Sequence, residues 1–139
     1  MGGGRMVVTR SELLPIRGEA EVVGVRQQVR AYCVELRFSL VDQTKMVTAA
    51  SELARNTLIH GKGGTVDLQI VENGDRRGLR LIFEDTGPGI PDIDLAMKDG
   101  YTTGNGMGLG LGGSKRLVHE FEILSQVGQG TRVAITRWA

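Results

Sequence analysis

From about residue 20 to 36, Val22, Val25, Val29, Tyr32, Cys33 and Leu36 recur at three- and four-residue steps. That spacing gathers them on one face of an α-helix. Arg26, Arg30 and Glu35 fall outside the stripe and read as solvated. A second helix is predicted over about 42–60, where Met46, Val47, Ala50, Leu53, Ala54 and Leu58 share a face. Ser39 followed by Asp42 has the form of a capping box that opens it. The period then drops to two. TVDLQIVEN (65–73) and GLRLIFED (78–85) alternate around GDRR and read as a β-hairpin. Further on come a short helix at 92–98, a helix ending near 120, and strands 121–127 and 131–138 joined by GQG. At the front, 7–17 (VVTRSELLPIR) holds a short strand broken by Pro15. Helices in front and strands behind suggest a two-layer α/β sandwich rather than a doubly wound sheet.

Glycine is the one compositional departure: 21 residues, roughly twice the ~7% norm. They gather at 61–64, 87–89, 100–113 and 128–130. The densest run is GNGMGLGLGG, directly before the helix-like SKRLVHEF. Each glycine in a regular element costs on the order of 0.5–1 kcal/mol against alanine, so the run needs a reason. Otherwise the 139 residues suit one domain spanning 1–139, with MGGGRM read as a flexible end over 1–6. A net charge of +1 points to no nucleic-acid partner. The lone Cys33 favours a reducing compartment, and no apolar run approaches the ~20 residues of a membrane span. A cytoplasmic location is therefore expected.

Candidate chemistry starts on the second helix. Glu52 and Asn56 are four apart and stack on the face opposite the apolar stripe. The bland reading is a solvated face; the sharper one is a site lying over this helix. Adding His60 gives a Glu, Asn and His set, a poor combination for a transition metal. A carboxylate with a carboxamide better suits a hard cation such as Mg²⁺, completed by phosphates and water. In EDTGPGIPD (84–92), Asp85 ends a strand whose neighbours Leu81, Ile82 and Phe83 imply burial. A carboxylate there needs donors, which the exocyclic amine of a purine supplies. Gly87 and Gly89 let a flat base approach the backbone.

Two familiar loops fail on the glycine run. Gly108, Gly110 and Gly113 satisfy GxGxxG, but no strand precedes them, and Val133 stands where an acidic residue is needed. GLGLGGSK has Gly-Ser-Lys in place of the Gly-Lys-Ser/Thr of a Walker loop. General physics survives: glycines before a helix expose N–H groups that cradle phosphate, with Lys115 and Arg116 adding charge.

The order ELARN, DTGPG, GNGMGLGLG, GQGT resembles the GHKL ATPase superfamily. SELARN, EDTGPGIPD, DGYTTGNGMGLGLGGSKRL and GTRVAITRW resemble, more narrowly, the RsbT-type anti-sigma regulatory serine/threonine kinases from about residue 15 onward. The resemblance implies a Bergerat-type sandwich, its mixed, mostly antiparallel sheet covered on one face by about three helices. It implies an ATP- and Mg²⁺-dependent kinase acting on a serine of a STAS-domain antagonist, in a partner-switching stress module with a downstream partner. Glu52 would be the general base and Asn56 the magnesium ligand. Asp85 would bind the adenine amine, with Gly87 and Gly89 shaping the base pocket. Thr102, Thr103, Gly104, Gly106, Met107, Gly108, Leu109 and Gly110 would form the lid and phosphate loop, with residues 100–112 poorly ordered or on a different path without nucleotide. Gly128, Gly130 and Thr131 would close the far side. Gly112 stands where a proline is expected, and an extra glycine loosens the lid-to-helix junction. Kept open are a sigma-factor-binding sibling and a binding module that activates a phosphatase. A histidine kinase needs a phosphoacceptor hairpin, and a GHKL motor ATPase needs further domains, for which this chain has no room.

Overall fold

The computed structural model describes residues 6–98 and 110–139. In chain order the elements are β1 (Val7–Ile16), α1 (Glu19–Glu35), α2 (Leu40–Ile59), β2 (Gly64–Asn73) and β3 (Arg76–Asp85). They are followed by α3 (Ile93–Ala96), α4 (Gly110–Arg116), β4 (Glu120–Gln126) and β5 (Gly130–Trp138). The strands form one sheet in the order β1-β2-β3-β5-β4, and each of its pairings is antiparallel.

The helical periodicity maps onto α1 and α2 within two residues at each end. Ser39 is the N-cap of α2, and its hydroxyl accepts from the Asp42 N–H at 3.1 Å. The core is built where the apolar stripes meet the inward residues of the central strands. Val25, Val29, Met46, Leu53, Val66, Leu68, Leu79, Leu81, Phe83 and Ile135 are all nearly inaccessible to solvent. Burying each such side chain contributes about 1.5–3 kcal/mol, and this pins α2 across the sheet.

Two local expectations are corrected. Pro15 does not break the first strand. β1 runs through it, with Pro15 opposite Thr65, because β1 is an edge strand and needs no N–H there. The helix after the glycine run stops at Arg116 rather than near 120. Beyond it the backbone joins the sheet: the His119 N–H donates to the Thr136 carbonyl at 3.0 Å.

A buried guanidinium ties the ends of this layout together. Arg137 on β5 donates to Asp42 at 2.6 Å and to the Leu117 carbonyl at 2.8 Å. It thereby links the first turn of α2 to the chain leaving α4.

Candidate functional site

A cleft of about 320 Å³ opens between α2, the end of β3, the turn into α3 and the start of α4. The spacing that puts Glu52, Asn56 and His60 on one line of α2 makes all three line it. Asp85 lines it from the end of β3, Thr131 from β5, Gly89 from the turn after β3 and Gly110 from the first position of α4. Residues 79 positions apart in sequence thus share one cavity wall.

Each polar group has a defined state. Glu52 Oε2 accepts from the Gly110 N–H at 3.2 Å. Asp85 Oδ1 accepts from the Gly87 N–H at 2.9 Å and the Thr131 N–H at 3.3 Å. That answers the requirement for donors on a carboxylate at the end of a buried strand, and it leaves Oδ2 without a partner among the described residues. The Asn56 carboxamide has no hydrogen-bond partner among the described residues. Most of the remaining lining is apolar, from Leu53, Phe83, Ile90, Leu95, Ala96, Leu111 and Val133, with Thr57 and Asp92 as further polar members. Flat apolar walls with convergent polar groups are what a nucleobase with a charged tail requires.

Gly87 lies off the cavity lining, packed against the backbone of Gly61. Lys115 is exposed on α4 and does not line the cleft either. Thr102, Thr103, Gly104, Gly106, Met107, Gly108 and Leu109 lie outside the described residues, as does most of the span proposed as the lid. Gly61 is a functional position that sequence reasoning missed. A Cβ there would sit 2.3 Å from Asp85 Cγ, so only glycine lets the Asp85 carboxyl pack beside the end of α2. The signal was its place in the 61–64 glycine cluster, which alone assigns no role.

Comparison with known proteins agrees with this geometry. Residues 41–138 match the family described as histidine kinase-, DNA gyrase B-, and HSP90-like ATPase. The chain is 43% identical over 123 residues to the Bacillus subtilis serine/threonine-protein kinase RsbT, covering 88% of this chain and 92% of that protein. It is 33% identical to an anti-sigma F factor of Clostridium kluyveri, over 81% of this chain and 82% of the relative. Among solved structures, the RsbU and RsbW domains of Rv1364c from Mycobacterium tuberculosis superimpose with a TM-score of 0.65 at 23% identity. That match covers 93% of this chain and 32% of the solved one, and it supports the fold alone. Half or more of the chain fits the ATPase family, and two relatives above 30% identity align along most of their length. The chain belongs to the histidine kinase-, DNA gyrase B- and HSP90-like ATPase family and, within it, to the RsbT-like serine/threonine-protein kinases and anti-sigma factors.

Proposed function

We propose that the protein transfers the γ-phosphoryl group of ATP to a serine hydroxyl on a STAS-domain antagonist, as part of a cytoplasmic partner-switching module. The observation that carries this reading is the convergence of Glu52, Asn56 and Asp85 on one cleft. A kinase needs a proton acceptor, a hard-cation donor and a base anchor in one place, and these residue types supply all three.

In this reading Asp85 Oδ2 accepts from the exocyclic amine of adenine, while the apolar side chains of Ile90, Leu95 and Ala96 take the ring. The Glu52 carboxylate removes the proton of the attacking serine as its oxygen bonds to phosphorus and the ADP oxygen departs. The phosphate contacts are assigned to Thr102, Thr103, Gly104, Gly106, Met107, Gly108, Leu109 and Gly110. Asn56 fits a magnesium ion because its amide oxygen is a hard donor on the cleft wall with no hydrogen-bond partner among the described residues. Magnesium supplies charge neutralisation on the phosphates when bound.

The test is incubation with labelled ATP, magnesium and a candidate STAS protein, followed by mapping of the modified residue. Serine labelling by the wild type and its loss in Asn56→Ala support the reading. Undiminished labelling by Asn56→Ala would sink the magnesium assignment. Labelling absent from any STAS protein, with a sigma factor bound instead, would favour the anti-sigma sibling.

A further inference from the structure

We infer that Ser125 sets the hydrogen-bond polarity of the base end of the cleft, making a corner of acceptors that takes an exocyclic amine and rejects a ring carbonyl. The inference rests on the adenine-nucleotide reading above and deepens it. Ser125 is on β4, opposite Thr131 in the β4–β5 register, and stands behind Thr131 rather than on the cavity wall. Its Oγ makes three contacts: the Ile90 N–H at 2.7 Å, the Gly130 carbonyl at 3.2 Å and Thr131 Oγ1 at 2.8 Å.

Counting hydrogens orients this hub. A serine hydroxyl has one hydrogen to give and two lone pairs to accept with. The Ile90 N–H can only donate, so it takes one lone pair. The Gly130 carbonyl can only accept, so it takes the single hydrogen. The remaining lone pair must then receive the Thr131 hydroxyl hydrogen. With its own hydrogen turned toward Ser125, Thr131 Oγ1 has only lone pairs left for the cleft. Asp85 beside it also presents lone pairs only, with Oδ1 already taken by the Gly87 and Thr131 N–H groups.

A 6-amino purine brings donors to that corner and is matched. A 6-oxo purine brings a carbonyl oxygen, which meets lone pairs and loses its hydration without replacement. Ser125 is therefore a positioning residue that acts on the base through Thr131.

The experiment is titration of the full chain with ATP and with inosine triphosphate, which replaces the 6-amino group by a carbonyl. The wild type is expected to bind ATP at least about tenfold more tightly. In Ser125→Ala the Thr131 hydroxyl is free to rotate and donate to a carbonyl. The ATP-to-inosine-triphosphate ratio is then expected to fall by about fivefold, with Asp85 keeping the remainder. Ser125→Thr restores the hydroxyl and is expected to restore the ratio. Should Ser125→Ala not fold, Thr131→Val reads the same effect. It removes the acceptor and is expected to weaken ATP binding severalfold while leaving inosine triphosphate unchanged. Equal weakening of both nucleotides in Ser125→Ala, or an unchanged ratio, would make Ser125 a scaffold residue and overturn the inference. A wild type that binds neither nucleotide overturns the adenine reading beneath it, a distinct result of the same titration.

Discussion

The Glu52 carboxylate on α2 accepts a hydrogen bond from the backbone N–H of Gly110, 58 residues further along the chain, at 3.2 Å. The residue proposed as the base therefore also holds the first residue of α4 in place. The two duties separate by substitution. Glu52→Gln keeps a carbonyl oxygen that can accept from Gly110 but removes the basic lone pairs. Its melting temperature should stay close to wild type while serine phosphorylation falls by about 10²–10⁴-fold. Glu52→Ala should lose both, with a stability cost of about 1 kcal/mol. Thermal denaturation run beside the kinase assay distinguishes them.

Arg137 and Asp42 supply a second test. Arg137 is buried, and its Nε has no hydrogen-bond partner among the described residues, so its charge depends on Asp42 and the Leu117 carbonyl. Asp42→Ala leaves that guanidinium buried without its counter-charge and should cost about 2–3 kcal/mol in urea unfolding. The hydrogen bond from Arg137 holds the Asp42 carboxyl below its usual range. A group depressed in the folded state stabilises above its unfolded value, about 3.9 for aspartate, and that stability is lost as pH falls through the folded value. The variant should therefore show a shallower loss of stability below about pH 4.

How much was legible follows the range of the interactions. α1, α2 and the β2–β3 hairpin were readable because the stripe Val22 to Leu36, the stripe Met46 to Leu58 and the alternation in 65–85 are local consequences of burial. The shared face of Glu52 and Asn56 was readable from their four-residue spacing, and the need of Asp85 for donors from its place at the end of an apolar strand; that all three line one cleft is seen only in the fold. Pro15 misled because a strand's position at the sheet edge is a property of the whole topology. Ser125 and Gly61 were invisible for the same reason. One acquires its role from the β4–β5 register, the other from the approach of Asp85 to the end of α2.

Gly112 reads differently in the fold than in the sequence. An extra glycine suggested a loosened junction, yet Gly112 is buried, and a Cβ built on it would stand 2.1 Å from the Met97 carbonyl oxygen. The missing side chain lets α4 lie against the end of α3, which makes this contact tight. Gly112→Ala should force the two segments apart and cost about 1–3 kcal/mol, despite alanine's better helix propensity. A melting temperature raised by this substitution would refute the packing argument.

His119 makes the closing strand sensitive to mild acid. Its Nδ1 accepts from the Trp138 N–H at 2.9 Å, which a protonated ring cannot do. Burial, then the nearby Arg137 and Arg76 charges, push its pKa below the usual histidine value, against the opposing pull of Asp42 and Glu120. The neutral form is thus the folded form. Its stabilising effect is complete above about pH 6.5 and is lost as pH falls through the lower folded value. Urea midpoints measured from pH 7.5 to 5 should decline in the wild type, with a smaller slope in His119→Gln.

Asp85 offers the cleanest separation of fold from ligand. Its Oδ1 holds two backbone N–H groups, so the turn from Gly87 onward and the start of β5 depend on one oxygen. Asp85→Asn keeps that oxygen and places an NH₂ where Oδ2 stood. The two backbone bonds survive, and the melting temperature should change little. The group facing a purine amine becomes a donor, however, and donor meets donor. ATP affinity should drop by about tenfold to a hundredfold, while inosine triphosphate, whose carbonyl accepts from the new amide, should lose less or gain. Calorimetric titration of both nucleotides against Asp85→Asn reads this directly. Equal losses for the two would mean that Asp85 serves the turn alone and that the base is anchored elsewhere.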